Sequence, residues 1–253
     1  MPAVLQEGGI FVADLLTVLS LSTEEFMSSI RALGAKIAVF DCDGTLWSGD
    51  AGSSFMKWTI ETGLVSREVT DAMDARYRKY LRGEVSEVAI CGEMVQMYQG
   101  LREAEMRRAA REFFRSSIEP HIFPEMRSLI AELKAAGAGI WAVSSTNDWV
   151  IEEGVAQFGI PPEKVLAARV RVKDGLVTNE VIEIPTGEGK VEALARVGIG
   201  RPDAVFGNSV HDAAMLEIAR AAYPVNPSPA LIELSVQRGW AVYFPESVRE
   251  PCK

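Results

Sequence analysis

The sequence predicts an α/β fold, a Rossmann-like parallel sheet core with an inserted all-helical cap. Three observations carry that expectation. Short continuous apolar runs alternate with longer stretches of helical periodicity, as expected for strands covered on both faces by crossover helices. One long segment, residues 53–117, has no strand-like run and spaces its apolar residues only at helical periods. The apolar runs end in Asp, Ser, Asn and Gly, at the edge where open α/β sheets bind their ligands. The expected division is a core from residues 1–52 and 118–253, with 1–35 as an N-terminal helical extension, and a helical cap from 53–117.

Residues 10–21 are apolar but interrupted by Asp14, and no Lys or Arg precedes them. They read as an amphipathic helix covering a hydrophobic surface rather than a signal peptide. Ser22 and Glu25 have capping-box spacing for a helix from Thr23. Ile37–Phe40 is the first strand. In the insertion, Phe55 and Trp58, then Val69, Met73, Tyr77 and Tyr80, then Val88, Cys91, Val95 and Tyr98, then Met106, Ala109 and Phe113 repeat at helical periods. Breaks at Gly63, Gly83 and Gly100 divide them into four helices whose aromatic residues are expected mostly to fill their own bundle.

Beyond the insertion, Met126, Leu129, Ile130 and Leu133 mark a helix that Gly137 would stop. Residues 140–143 form the second strand, which runs into Ser144, Ser145, Thr146 and Asn147. Residues 170–172 and 176–177, split by Lys173, Asp174 and Gly175, read as a small hairpin. Strands follow at 204–206, 221–225 and 240–244, with a helix through Met215, Leu216 and Ile218.

Composition narrows the function classes. With 253 residues, 48% of them hydrophobic, the chain can bury a sizeable core as one large domain, or as a core plus insertion. Twenty-six Lys+Arg against 35 Asp+Glu give a net charge of −9, which argues against a nucleic-acid partner. Three dispersed cysteines, Cys42, Cys91 and Cys252, suggest neither a disulfide framework nor a CxxC zinc site, and point to a reduced, cytoplasmic setting. No stretch reaches the ~18 apolar residues of a membrane helix.

The chemistry-bearing residues gather at strand ends. Asp41 and Asp43 follow the first strand two apart, so they share a face, and Gly44 allows the chain to turn. Two carboxylates there suit a divalent cation with oxygen ligands, most simply Mg²⁺. One can also attack phosphorus, and the other can protonate a leaving oxygen. Ser144 stands before a helix beginning near Asn147, a phosphate-binding corner. Lys190 lies in a Gly-Glu-Gly-Lys stretch, and residues 207–212, Gly-Asn-Ser-Val-His-Asp, supply further oxygen ligands through Asn208 and Asp212.

In this order, DxDGT, Ser, Lys and Gly-(Asp/Asn)-Ser-x-x-Asp resemble the haloacid dehalogenase superfamily over residues 36–245. The helical insertion resembles its phosphoserine-phosphatase-like branch. The resemblance implies a Mg²⁺-dependent phosphomonoester hydrolase acting on a small phosphorylated metabolite. Asp41 would be the nucleophile, and Asp43 the general acid and then base. Ser144, Ser145 and Lys190 would hold phosphoryl oxygens, with His211 close to them. Asp41, the backbone carbonyl of Asp43, Asn208 and Asp212 would hold Mg²⁺. Asp43 speaks against the dehalogenases, and Lys57 and Lys79, the lysines of the insertion, make phosphonatase chemistry a poor match. A phospho-ligand-binding protein without turnover is the competing reading.

Two departures bear on this. Asn208 stands where the family usually has Asp, so the metal site has one formal negative charge fewer. Asp50 stands where phosphoserine phosphatases carry a Glu that meets the substrate ammonium, and it reads equally well as a helix N-cap. Gly92 falls near the position of their carboxylate-binding Arg, with Arg76, Arg78 and Arg82 as possible substitutes. Trp47, on the loop into the insertion, is expected to wall the substrate pocket, and Cys42, alternating with the aspartates, to point into the core.

Overall fold

The structure is a computed structural model that describes residues 18–249. The expected helix over residues 10–21 falls mostly outside them, and where the chain becomes described it is extended: β1 is Ser20–Leu21. Helix α1 (Thr23–Leu33) follows, with Ser22 and Glu25 closing a reciprocal capping box. The central sheet contains β2 (Ile37–Phe40), β3 (Gly139–Asn147), β4 (Val165–Lys173), β5 (Leu176–Glu183), β6 (Ala204–Gly207) and β7 (Ala221–Pro224). Their order is β5–β4–β3–β2–β6–β7, all parallel except the β4–β5 hairpin.

Strand β2 shows why its run is apolar without alternation. Ala38 and Phe40 face the layer that holds Phe26 of α1 and Met126 and Ile130, while Val39 faces the layer of Leu194, Leu216 and Leu231. Both faces are therefore dry, and Ala38, Val39 and Phe40 are wholly buried. Phe40 stacks on Phe206 of β6 at 4.2 Å between ring centroids. Burying one such side chain contributes about 1.5–3 kcal/mol. The alternation continues past the strand: Cys42 joins the Phe40 side of the core, so Asp41 and Asp43 turn to the other.

Four helices lie between β2 and β3: α2 (Ala51–Glu61), α3 (Arg67–Leu81), α4 (Glu87–Gln96) and α5 (Glu103–Phe113). Asp50, Ser66 and Ser86 cap the first three through backbone N–H groups three residues on. Phe55 of α2 packs against Tyr98 and against Phe113 of α5, and Tyr98 meets Trp149, so this half of the insertion is continuous with the main core. Met73 of α3 and Ile90 of α4 instead form a small separate cluster with Met56 of α2 and Val85 of the α3–α4 connection. The α4–α5 connection adds β-type hydrogen bonds to the outer edge of β5: Gly100 N donates to Val177 O and Val177 N to Leu101 O, each at 2.9 Å.

After the insertion come α6 (Pro124–Ala135), α7 (Asp148–Ala156), α8 (Glu188–Arg196), α9 (Ala213–Glu217) and α10 (Pro229–Arg238). The hairpin is larger than the sequence suggests, because β4 is a full strand paired with β3 and not a satellite. Its turn uses Asp174 and Gly175, both with positive φ, the geometry that matches strand twist. The run 240–244 also departs from expectation. Only β8 (Val242–Tyr243) forms, and it pairs in parallel with β1 outside the main sheet. Tyr243 stacks on Phe26 at 4.0 Å and also bridges in parallel to Val225, just past β7, so the run joins β1 to the edge of the main sheet.

Candidate active site

The ends of β2, β3 and β6, with the N-terminus of α8, bring two carboxylates and one backbone carbonyl around one ammonium group. Asp41 follows Phe40 directly, and its backbone N–H still donates to Phe206 O at 2.9 Å, which extends the ladder one residue past the strand. Its Oδ1 accepts from Lys190 Nζ at 2.8 Å and its Oδ2 from Thr45 Oγ1 at 3.0 Å. The same Nζ donates to Asp212 Oδ1 at 2.5 Å and to Val143 O at 3.2 Å, so all three ammonium protons have acceptors. Lys190 is only 2% exposed, against the exposure usual for lysine. Asp212 is fixed in turn: its Oδ2 accepts from the backbone N–H of Asn208 and of Ser209, each at 2.9 Å.

Asp43 has a separate environment. Its Oδ1 accepts from Trp47 Nε1 at 2.7 Å and from Ala51 N at 2.8 Å, and its Oδ2 from Thr146 Oγ1 at 2.7 Å. Three donors aim one carboxylate, which removes its rotational freedom. Burial, together with the charge of Asp50, pushes the Asp43 carboxyl up to about 6, against the pull of these donors. Burial and the neighbouring Asp212 charge push Asp41 up to about 7, against the pull of Lys190. Burial alone would lower Lys190, but Asp212 and Asp41 outweigh it and hold the ammonium well above its usual pKa.

Glycines permit the close approach. At Gly44 (φ +77°) a Cβ would fall 1.8 Å from Asn208 Nδ2, so only glycine lets the Asn208 amide lie against the turn after Asp43. At Gly207 a Cβ would fall 2.6 Å from that of Asp212.

These groups open into a cavity of about 250 Å³ between the sheet end and the helical insertion. Asp41, Asp43, Ser144, Ser145, Lys190 and Asn208 form its core side. His211 also lines it and pairs through Nε2 with Glu87 of α4. Asp50 lines the cavity and at the same time caps α2, accepting from Ser53 N at 2.9 Å. The two readings of Asp50 are therefore compatible.

Trp47 is the correction. It is fully buried, does not line the cavity, and packs edge-on against Phe114 with ring centroids 5.3 Å apart. Its indole N–H is drawn to Asp43, and at Gly154 a Cβ would meet its ring at 2.8 Å, so the side chain wedges beneath the site. Nor do the arginines of α3 and its end reach the cavity: Arg76 pairs with Glu93 at 2.6 Å, Arg78 with Asp74 at 2.5 Å and Arg82 with Glu84 at 2.6 Å.

Sequence reasoning missed four residues. Thr146 stood within the Ser-Ser-Thr-Asn run, where its hydroxyl was a usable signal. Tyr77 and Tyr80, whose spacing predicts the bundle interior, line the cavity, and Glu87 gives no signal beyond its place in a first helical turn.

For a metal, the hard-oxygen donors available are the carboxylates of Asp41 and Asp212, the Asn208 amide and the backbone carbonyl of Asp43. Among the described residues no three His, Cys, Asp or Glu side chains gather as an all-side-chain metal site. Two carboxylates converging on Lys190, with the Asn208 amide against the Gly44 turn, still fit a hard cation that takes oxygen ligands and keeps several waters.

A family profile described as haloacid dehalogenase-like hydrolase matches residues 38–217. A histidinol-phosphatase of Neisseria meningitidis is 27% identical over 217 residues, covering 81% of this chain and 97% of the relative. A protein of unknown function from Bordetella pertussis, 25% identical, superimposes with a TM-score of 0.72 over 82% of this chain and 97% of its own. A phosphoserine phosphatase solved as a phospho-aspartyl intermediate analogue shares the fold, with a TM-score of 0.56 at 18% identity over 83% and 93% of the two chains.

Proposed function

The chain belongs to the haloacid dehalogenase-like hydrolase family and is a phosphoric monoester hydrolase, and we propose that it is a Mg²⁺-dependent one working through a phosphorylated Asp41. The observation that carries this reading is the pair of buried carboxylates with separate surroundings: Asp41 against the Lys190 ammonium, and Asp43 aimed by Trp47, Ala51 and Thr146.

Phosphoryl transfer asks for alignment and for positive charge on the equatorial oxygens, more than for covalent assistance. In the first step an Asp41 oxygen bonds to phosphorus as the bond to the ester oxygen breaks, and Asp43 gives its proton to that oxygen. In the second, Asp43 takes a proton from water as the water oxygen bonds to phosphorus and the Asp41 oxygen–phosphorus bond breaks. Lys190 faces the phosphoryl group from the α8 side, and Ser144 and Ser145 offer hydroxyls from the end of β3. Asp41, Asp212, Asn208 and the Asp43 carbonyl would hold Mg²⁺, which when bound neutralises phosphoryl charge. With Asn208 neutral, metal affinity is modest.

The substrate is a small metabolite, since the insertion overhangs a cavity of about 250 Å³. Its leaving group carries an amine or another cation and no carboxylate. Asp50 lines the cavity, whereas its one lysine is paired with Asp41 and Asp212, its His211 with Glu87, and no arginine lines it. A phosphate-release screen with Mg²⁺, over phosphomonoesters of amino alcohols, amino acids and sugars, tests both points. Turnover led by amino-alcohol phosphates is expected. No turnover of any ester would favour a phospho-ligand-binding protein, and a preference for phosphoserine would overturn the substrate class.

A further inference from the structure

Glu87 opens helix α4 and makes three contacts. Its Oε1 accepts from Thr186 Oγ1 at 3.0 Å, and its Oε2 pairs with His211 Nε2 and accepts from Tyr80 Oη at 3.4 Å. Thr186 and His211 sit on the two core loops that deliver Lys190 and Asp212, and Gly187 N donates to His211 O at 3.0 Å, so the loops are also tied to each other. One carboxylate of the insertion thus touches both sides of the phosphoryl-binding end.

Helical spacing gives this contact its leverage. Glu87, Ile90, Cys91 and Met94 fall on one face of α4, and all four line the cavity. The far end of α4 is fastened by Gln96 Nε2, which donates to Asn179 O on β5 at 2.8 Å. Behind α4, helix α3 buries only Met73, so it provides weak backing. The core groups do not depend on α4: Lys190 has three acceptors of its own, and Asp212 has two backbone donors.

We infer that Glu87 is a positioning residue that seats the active-site end of α4 on the Thr186 and His211 loops and so sets the wall against which the leaving group binds. The inference rests on the phosphatase reading for its kinetic consequence and on the geometry alone for its structural one. Removing the clasp weakens recognition of the leaving group and leaves the phosphoryl end in place.

The test uses the full chain and the variants Glu87→Ala, Glu87→Gln, Thr186→Val and the Glu87→Ala/Thr186→Val double variant. Glu87→Ala should raise KM for the best phosphomonoester about tenfold with kcat little changed, the pattern of lost binding shared by ground and transition state. Inhibition by inorganic phosphate should stay within about twofold, because that ligand lacks a leaving group. Glu87→Gln, which keeps an acceptor for Thr186, should recover part of the loss. The double variant should be no worse than Glu87→Ala alone, since both changes break one contact.

A second arm needs no turnover. In ligand-free protein, backbone amides of residues 67–94 should exchange about tenfold faster in Glu87→Ala, with those of β2 and β6 unchanged. Phosphate inhibition weakened as much as substrate binding would overturn the inference, because Glu87 would then be supporting the core loops. Unchanged exchange would overturn it equally. If the parent hydrolyses no ester, the exchange arm alone decides, and the two readings fail separately.

Discussion

The strand ends of the core and the α3–α4 pair of the insertion carry charge in opposite ways. At the strand ends Asp41, Lys190 and Asp212 are all buried, and each is held by at least two partners. On α3 the arginines lie in ion pairs at the surface, and a single residue, Met73, is buried. Where charge must be stabilised as it develops, groups fixed in a water-poor site act without reorganising. Where a leaving group must enter and depart, a thinly packed helix pair can shift at little cost. The same chain therefore separates the reaction from its selectivity, and substitutions in the two regions should differ in kind.

Asp41→Asn should have the largest effect, a loss of turnover of at least about a thousandfold, because a neutral amide removes the nucleophile from a unit whose members act together. Circular dichroism should show the fold retained, and parental activity in this variant would break the comparison at its centre. Lys190→Met comes next and should act on stability as well as on rate. It leaves Asp41 and Asp212 facing each other in a buried site, and breaking a buried pair on one side costs about 3–5 kcal/mol. For a chain of this size that is a fall in Tm of roughly 10 °C, read by scanning calorimetry.

Gly44→Ala should follow. It strains a residue at φ +77° and drives a methyl group into the Asn208 amide, so activity should fall about a hundredfold with a smaller loss of stability. Asn208→Asp tests the neutral position in the metal set. It restores a charge in nearly the same shape and should lower the Mg²⁺ concentration for half-maximal activity several-fold, while Asp212→Asn should raise it. Unchanged metal dependence in both would remove that account of the site. The smallest effect belongs to α3: Arg76→Ala breaks a half-buried pair with Glu93 and should change stability by about 1 kcal/mol or less.

What the sequence made legible follows from the same contrast. The parallel sheet was readable because β2, β3 and β6 are dry on both faces and so become unbroken apolar runs. Asp41, Asp43, Ser144, Lys190 and Asp212 were nameable because each stands where such a run ends or where glycines surround it. The structure brings the first four around one cavity, with Asp212 buried behind Lys190. Trp47 departs from its expected place because position on a loop does not tell which way an indole turns. Its N–H is fixed by Asp43 and its ring by the space that Gly154 leaves. Glu87, Tyr77 and Tyr80 were hidden because their faces are set by how α3 and α4 dock, and tertiary docking leaves no mark in a periodic pattern. Residues 240–244 read as a sheet strand because an apolar run does not name its partner. Only Val242–Tyr243 pairs, with β1 on one side and a single bridge from Tyr243 to Val225 past β7 on the other.

The central claim is that Asp41 carries the phosphoryl group between the two steps. Rapid quenching of the parent protein during turnover, followed by borohydride reduction and peptide mass spectrometry, reads this directly, since an acyl phosphate is reduced where a free carboxylate is not. The account predicts reductive modification at Asp41, present only with substrate and absent from Asp41→Asn. Turnover with no modification at Asp41, or with modification at another carboxylate, would contradict it.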